Sequence, residues 1–252
     1  MIIEPDIANS VMPAQAQMLF TALAGIPMLV VLCIAIMHVV RKGAPLLLYC
    51  FIGGGFASFF EPIADLLCGL YFPAVGQNTA FTTFGRPIPW ALVFAYPWFV
   101  GGQGYLTSRM FERGVTRQKI WQLWGVFALC NIVLESPGVI TGFHAYYGNQ
   151  PFNFWGFPLW MAAVQSIMPI VAGAMIYGVR RHVQSGWKLL SVIPMIPMAD
   201  GLVNAGLDIP IWSTLGSNLS LTANYIAALV TIGMAACAVW LIAITFGRTA
   251  EA

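Results

Sequence analysis

Residues 17–40 read QMLFTALAGIPMLVVLCIAIMHVV, without a single Asp, Glu, Lys or Arg, and Arg41-Lys42 follow at once. A run of ~20 apolar residues is enough to cross the hydrocarbon core of a bilayer as a helix. A helix that is apolar on every side has no face to offer water. Six further apolar runs follow, at about 44–72, 89–108, 120–147, 157–179, 188–212 and 222–246. The composition agrees: 252 residues are 59% hydrophobic and 8% charged, with a mean hydropathy of +0.80. Soluble domains carry roughly 25% charged residues. So few charges cannot cover a soluble globule, and the chain is too apolar for disorder. These features predict an all-α, polytopic membrane protein, a bundle of seven transmembrane helices. Residues 1–16 would form an outer polar segment, 17–248 one transmembrane domain and 249–252 a short tail. At ~20 residues per span no room is left for a separate soluble domain.

Basic residues set the expected orientation. Arg41 and Lys42 follow helix 1, and Arg109, Arg113, Arg117 and Lys119 lie between helices 3 and 4. Arg180, Arg181 and Lys188 lie between helices 5 and 6, and Arg248 follows helix 7. Ten of the eleven basic residues thus fall on one side, with Arg86 on the other. This predicts an amino terminus outside and a carboxyl terminus in the cytoplasm. The expected home is the inner membrane of a bacterium or the endoplasmic reticulum of a eukaryote. The first 16 residues hold no basic residue, so the first run is expected to be a retained span rather than a cleaved leader. The five cysteines are odd in number, lie in apolar stretches and have no Cys-x-x-Cys spacing, which favours packing over disulfides or zinc.

On the expected outer side, residues 74–88 and 148–157 are rich in Gly, Pro, Asn and aromatics. Such loops suit a cap over a site, and equally an aromatic belt. Helices 2, 4 and 6 each carry an acid late in the span: Phe60-Glu61-Pro62, Glu135-Ser136-Pro137 and Asp200-Gly201. Repeated hairpins of this kind commonly surround a central site.

Five of the nine acidic residues, Glu61, Asp65, Glu135, Asp200 and Asp208, fall inside expected spans, and no Lys or Arg does. An ionisable group at bilayer depth costs roughly 2.5–3.5 kcal/mol on insertion scales. Counted at 1.5 Å per residue from the basic end, Glu61, Glu135 and Asp200 stand at roughly 24, 21 and 18 Å, in the outer half of a ~30 Å core. Glu61 and Asp65 share a helix face, as do Asn131 and Glu135, while Asp200, Asn204 and Asp208 form an i, i+4, i+8 stripe. One reading has neutral acids bonded to backbone or Asn, locking helix packing. The other is a water-poor pocket. A carboxylic acid kept neutral by desolvation donates a proton, and a second beside it can accept one. Aromatics crowd the same layer, among them Phe60, Tyr71, Trp90, Tyr96, Trp160 and Trp212. Aromatic faces stabilise cations, so acids with aromatics suit chemistry that passes through a carbocation.

Other chemistries fit poorly. His38, His144 and His182 are isolated in sequence, and the last helix holds no Lys for a retinal Schiff base. The Glu61/Asp65 and Asp200/Asn204/Asp208 spacings are similar to the magnesium-binding acids of membrane prenyltransferases, but a diphosphate also wants cations. Arg86 is the one cation on that side, so the substrate is expected to be uncharged, with no metal, cofactor or nucleic acid involved.

In Phe56-Ala57-Ser58-Phe59-Phe60-Glu61, with Tyr71-Phe72-Pro73 downstream and Met198-Ala199-Asp200-Gly201 later, the chain resembles the small seven-span membrane terpene cyclases of fungal meroterpenoid and indole-terpenoid pathways and their bacterial relatives. Phe60 stands where that family carries Trp, and the Asp-Gly pair falls in the sixth expected helix rather than the last. The resemblance implies a cyclase that protonates an epoxide or alkene of a lipophilic polyprenyl substrate and cyclises it without metal. Glu61 and Asp200 would be the principal acids and Glu135 a third. Asp65, Asn131, Asn204 and Asp208 would orient them, and Phe60, Tyr71, Trp90, Tyr96 and Trp160 would shield the cation. Three alternatives stay open: a proton-coupled transporter or proton pathway using the same acids as a relay, a carotenoid-type polyene cyclase or hydratase, and a purely structural membrane subunit. Neither the substrate nor the oligomeric state is read from the residues.

Overall fold

A computed structural model describes residues 5–183, 186–217 and 219–249, and the fold is 73% helical. The first apolar run forms α1 (Ala14–Lys42), which ends where Gly43 turns left-handed at φ 58° and returns its N–H to the Val39 carbonyl. Arg41 and Lys42 in the last turn complement the helix dipole.

Proline decides where the other helices break. A proline lacks the N–H that the carbonyl four residues earlier expects. Thus α2 (Leu46–Ala57) passes into α3 (Glu61–Cys68) through a 3₁₀ turn at Ser58–Phe60. Pro62 cannot serve the Ser58 carbonyl, and the Glu61 N–H does so instead. At Pro97, α4 (Trp90–Tyr96) widens into a π turn, Pro97–Gly102, before α5 (Gln103–Glu112). Next comes α6 (Arg117–Ile140), with Pro137 near its end. A break at Ser166 and Ile167 separates α7 (Leu159–Gln165) from α8 (Met168–Arg180), whose first turn holds Pro169. A short 3₁₀ turn, Trp187–Ser191, leads into α9 (Val192–Leu207), which contains Pro197. After it, α10 (Ile209–Leu215) turns away and α11 (Leu221–Phe246) runs unbroken.

Six helices in the described residues are long and apolar enough to cross a membrane: Ala14–Lys42, Leu46–Cys68, Arg117–Ile140, Leu159–Arg180, Trp187–Leu207 and Leu221–Phe246. The remaining expected span is helical from Trp90 to Glu112 but divided by the π turn and dilute in apolar residues over Gly101-Gly102-Gln103-Gly104. Exposed Leu, Ile, Val and Met side chains ring α1, α6 and α11, the surface expected of a protein solvated by lipid.

The fold also departs from all-α. At the end away from Arg41 and Arg180, β1 (Leu70–Tyr71) pairs antiparallel with β4 (Ala145–Tyr146). Two hairpins join them, β2 (Thr79–Thr83) with β3 (Arg86–Pro89), and β5 (Asn153–Phe154) with β6 (Phe157–Pro158). Both turns, Phe84-Gly85 and Trp155-Gly156, have positive φ at each central residue, the backbone that matches the twist of a tight hairpin. The Gly- and aromatic-rich loops of the sequence are therefore folded into a cap.

Two apolar clusters stack along the bundle. One joins α2, α5, α8 and α9 around Val100, Phe111, Ile170, Ile176 and Ile196, toward the basic end. The other lies under the cap around Phe72, Ile88, Phe143, Phe157, Trp160 and Ile211. At the crossing of α2 with the π turn, backbones touch: a Cβ on Gly54 would stand 2.6 Å from the Tyr96 carbonyl oxygen, and one on Gly101 would collide with the Cys50 carbonyl.

Candidate functional site

Between the two clusters lies a cavity of about 160 Å³. Four of the five acids expected within spans line it: Glu61 and Asp65 from α3, Glu135 from α6 and Asp200 from α9. No Lys or Arg lines it among the described residues. Phe20, Phe72, Tyr96, Trp98, Phe99, Phe143 and Trp212 form much of the remaining wall. Helix distortion marks this level of the bundle. Glu61 stands at the exit of the 3₁₀ turn, Tyr96 at the entrance to the π turn, Gln165 at the α7–α8 break, and Pro137 and Pro197 lie within three residues of Glu135 and Asp200. Such π segments concentrate at functional sites because they re-aim side chains that a straight helix would turn away.

The acids fall into three sets. Tyr96 donates its hydroxyl to Glu61 Oε2, and Asp65 stands one turn further along α3, within electrostatic reach of Glu61. Asp200 accepts at Oδ1 from Asn204 Nδ2 at 2.8 Å, the same amide also reaching the Asp200 carbonyl at 2.9 Å. Oδ2 of Asp65 and Oδ2 of Asp200 are both buried without a hydrogen-bond partner, so each retains a free oxygen in the wall. The third set was not anticipated. His144 Nε2 stands 3.2 Å from Glu135 Oε2, although His144 is isolated in sequence. Beyond the spans, Tyr146 also faces the cavity, and burial, reinforced by the nearby Glu135 charge, pushes its hydroxyl pKa above the ordinary phenol range.

The other sequence candidates lie off the cavity wall. Asp208, expected inside a span, is fully buried where α9 gives way to α10, and neither of its carboxyl oxygens has a hydrogen-bond partner. The helix ends at Leu207, which breaks the i, i+4, i+8 stripe after Asn204. Asn131 is buried in α6 away from the cavity. Phe60 packs against the cap cluster, and Tyr71 lies in β1 with its ring 6.2 Å from that of Tyr147. Trp90 is exposed beside Phe94, and Trp160 is a fully buried packing residue whose indole N–H donates to Gln150. Arg86 is buried in the cap, donates to the Tyr147 hydroxyl at 2.7 Å and sits within electrostatic reach of Asp65.

The cavity is lined also by Leu23 of α1 and Leu134 of α6, which are 50% and 38% exposed on the apolar surface. Toward the basic end it meets the first cluster, and no described Asp, Glu, His, Lys or Arg of α2, α5, α8 or α9 intervenes before Arg109, Glu112, Arg180 and Lys188. Glu112 there receives Arg109 and, at 2.5 Å, Arg180. No group of three or more described His, Cys, Asp or Glu residues is arranged to hold a metal ion. Compared with known proteins, the chain matches no family model, no curated protein and no solved structure.

Proposed function

We infer that the protein is a membrane terpene cyclase, acting on a lipophilic, uncharged polyprenyl chain by protonating an epoxide or alkene. One observation carries the reading: carboxyl groups and aromatic faces share a single water-poor cavity that no Lys or Arg lines among the described residues. An acid in such a place can protonate a weak base, and aromatic faces stabilise the cation that results. Glu61 is the proton donor in this reading, held by Tyr96, with Asp65 beside it one turn along α3. Asp200, oriented by Asn204, supplies the second acid. The sequence resemblance to the small seven-span cyclases points the same way. A cavity of 150 Å³ takes a benzene-sized group, so the 160 Å³ space suits the reacting end of a chain whose tail leaves between α1 and α6.

The same proposal takes Trp90–Glu112 as the seventh crossing, with the cap outside and the basic end in the cytoplasm, in the inner membrane of a bacterium or the endoplasmic reticulum. The apolar seal below the acids favours an enzyme over a proton-coupled transporter. The test is direct. Purified protein in lipid nanodiscs is given terminal epoxides and alkenes of farnesyl and geranylgeranyl chains bearing phenol, quinone or indole heads, and products are read by mass spectrometry. Cyclised isomers of unchanged mass are expected from the unmodified protein, and Glu61→Gln is expected to lose them. Full turnover by Glu61→Gln on a matched substrate would sink the assignment.

A further inference from the structure

The cavity holds a second polar device that the initiating acids do not use. Glu135 on α6 and His144, in the turn that follows it, face one another at 3.2 Å, and both line the cavity. The imidazole is firmly seated. It is almost fully buried, with rings of Phe143 and Tyr146 edge-on at 6.1 and 5.9 Å and that of Phe72 at 5.8 Å. The backbone before it is fixed by a bond from Phe143 N–H to the Gly138 carbonyl at 2.8 Å. The ring occupies the space a side chain on Gly138 would need, since a Cβ there would stand 2.6 Å from Nδ1. Glu135, by contrast, keeps 30% of its side chain accessible, and its carboxylate is the member of the pair open to a ligand. Glu61 lies within electrostatic reach of both.

A cyclisation begun by a proton must end by losing one or by capturing water. We propose that Glu135, oriented by His144, is the base that ends the reaction; the assignment rests on the cyclase reading above. Glu61 delivers its proton to the epoxide oxygen or alkene carbon, and the π electrons of the chain close the rings, leaving a carbocation. A C–H bond beside the cationic carbon then breaks. Its electron pair becomes the new double bond and its proton passes to a Glu135 oxygen; Glu135 then returns that proton to the carboxylate left at Glu61, so both acids end as they began. Substrate and product are isomers, and neither water nor an oxidant is consumed. His144 is a positioning residue: its firmly seated ring, with Nε2 3.2 Å from Oε2, fixes where the Glu135 carboxylate stands. The pair therefore decides which alkene is formed.

The experiment compares product profiles in nanodiscs for the unmodified protein, Glu135→Gln, His144→Phe and His144→Gln, using whichever epoxide or alkene probe the unmodified protein cyclises. The expected result is that Glu135→Gln and His144→Phe still consume substrate but turn one alkene into a mixture of alkene isomers and water-quenched alcohols, with the original alkene falling at least tenfold as a share of product. His144→Gln, which keeps a polar side chain toward Glu135, is expected to restore most of the original profile. An unchanged profile in Glu135→Gln overturns the proposal. So does complete loss of substrate consumption in Glu135→Gln while the variant stays monodisperse, because Glu135 would then belong with the initiating acids. Absence of cyclised product from the unmodified protein would instead overturn the cyclase reading, and this assignment with it.

Discussion

At the scale of single residues, the site is a matter of who donates to whom. Tyr96 donates a hydrogen bond to Oε2 of Glu61, which leaves Oε1 to act on a ligand. Removing that hydroxyl without changing the ring should misplace the carboxyl rather than delete it. Tyr96→Phe is accordingly expected to lower kcat by about 10–100-fold, less than the about 10²–10⁴-fold expected of Glu61→Gln, a range typical of a positioned general acid. Steady-state kinetics on the same probe compares the two; an equal loss in both would make Tyr96 a full partner in proton transfer. At Asp200 the analogous change, Asn204→Leu, frees the carboxyl from its amide and is expected to reduce turnover while the protein remains folded, measured by product yield alongside size-exclusion profiles. Glu61, Asp65, Asp200 and Asn204 can be picked out of the sequence because a carboxyl group is costly in hydrocarbon and is rare there outside a site or a polar contact between helices. His144 cannot. It lies nine positions after Glu135, a spacing that brings no two side chains together on a helix. The two meet because the chain leaves α6 at Thr141 and turns back through Gly142, at φ 75°. The aromatics are equally mute: lipid and protein interior are both apolar, so nothing in the composition separates exposed Trp90 from buried Trp160.

At the scale of elements, the breaks matter more than the helices. The apolar runs of the sequence foretell α11 to within a residue and α1 to within three, whereas α6 stops at Ile140, seven residues short of the expected 147. The π turn after Tyr96 is not foretold. Its position depends on Pro97 and on how closely Gly101 can approach the Cys50 carbonyl of α2. Gly101→Ala puts a methyl group into that contact and should force the two helices apart. Over-packing of this kind costs about 1–3 kcal/mol, and a lowered midpoint of thermal unfolding in detergent is the expected reading. Because Tyr96 opens the same turn, activity should fall further than stability alone accounts for. Gly85→Ala is a useful contrast. Nothing stands near its missing side chain, so the whole penalty is the left-handed backbone, and a smaller loss confined to the cap is expected.

At the scale of the molecule, the acids occupy a closed level rather than a passage. Aliphatic and aromatic packing separates them from the basic end, and no described Asp, Glu, His, Lys or Arg of α2, α5, α8 or α9 lies between for a proton to follow. Vesicles containing the protein are therefore expected to leak protons no faster than empty vesicles under an imposed pH gradient, as reported by an internal pH dye. Faster leakage would revive the relay reading. One wall of the cavity remains, and it is α1, which is held to the rest by few polar ties: Trp98 to the Ala24 carbonyl at 3.0 Å, and Gln17 to the cap. Leu23 on this helix touches both the cavity and the lipid. Under the cyclase proposal, a cavity reached past a lipid-facing helix samples the composition of the bilayer, not of the buffer, and the mole fraction of substrate in the membrane is what saturates it. Diluting a fixed amount of substrate with inert lipid should slow the enzyme, while adding buffer around the same vesicles should leave its rate unchanged.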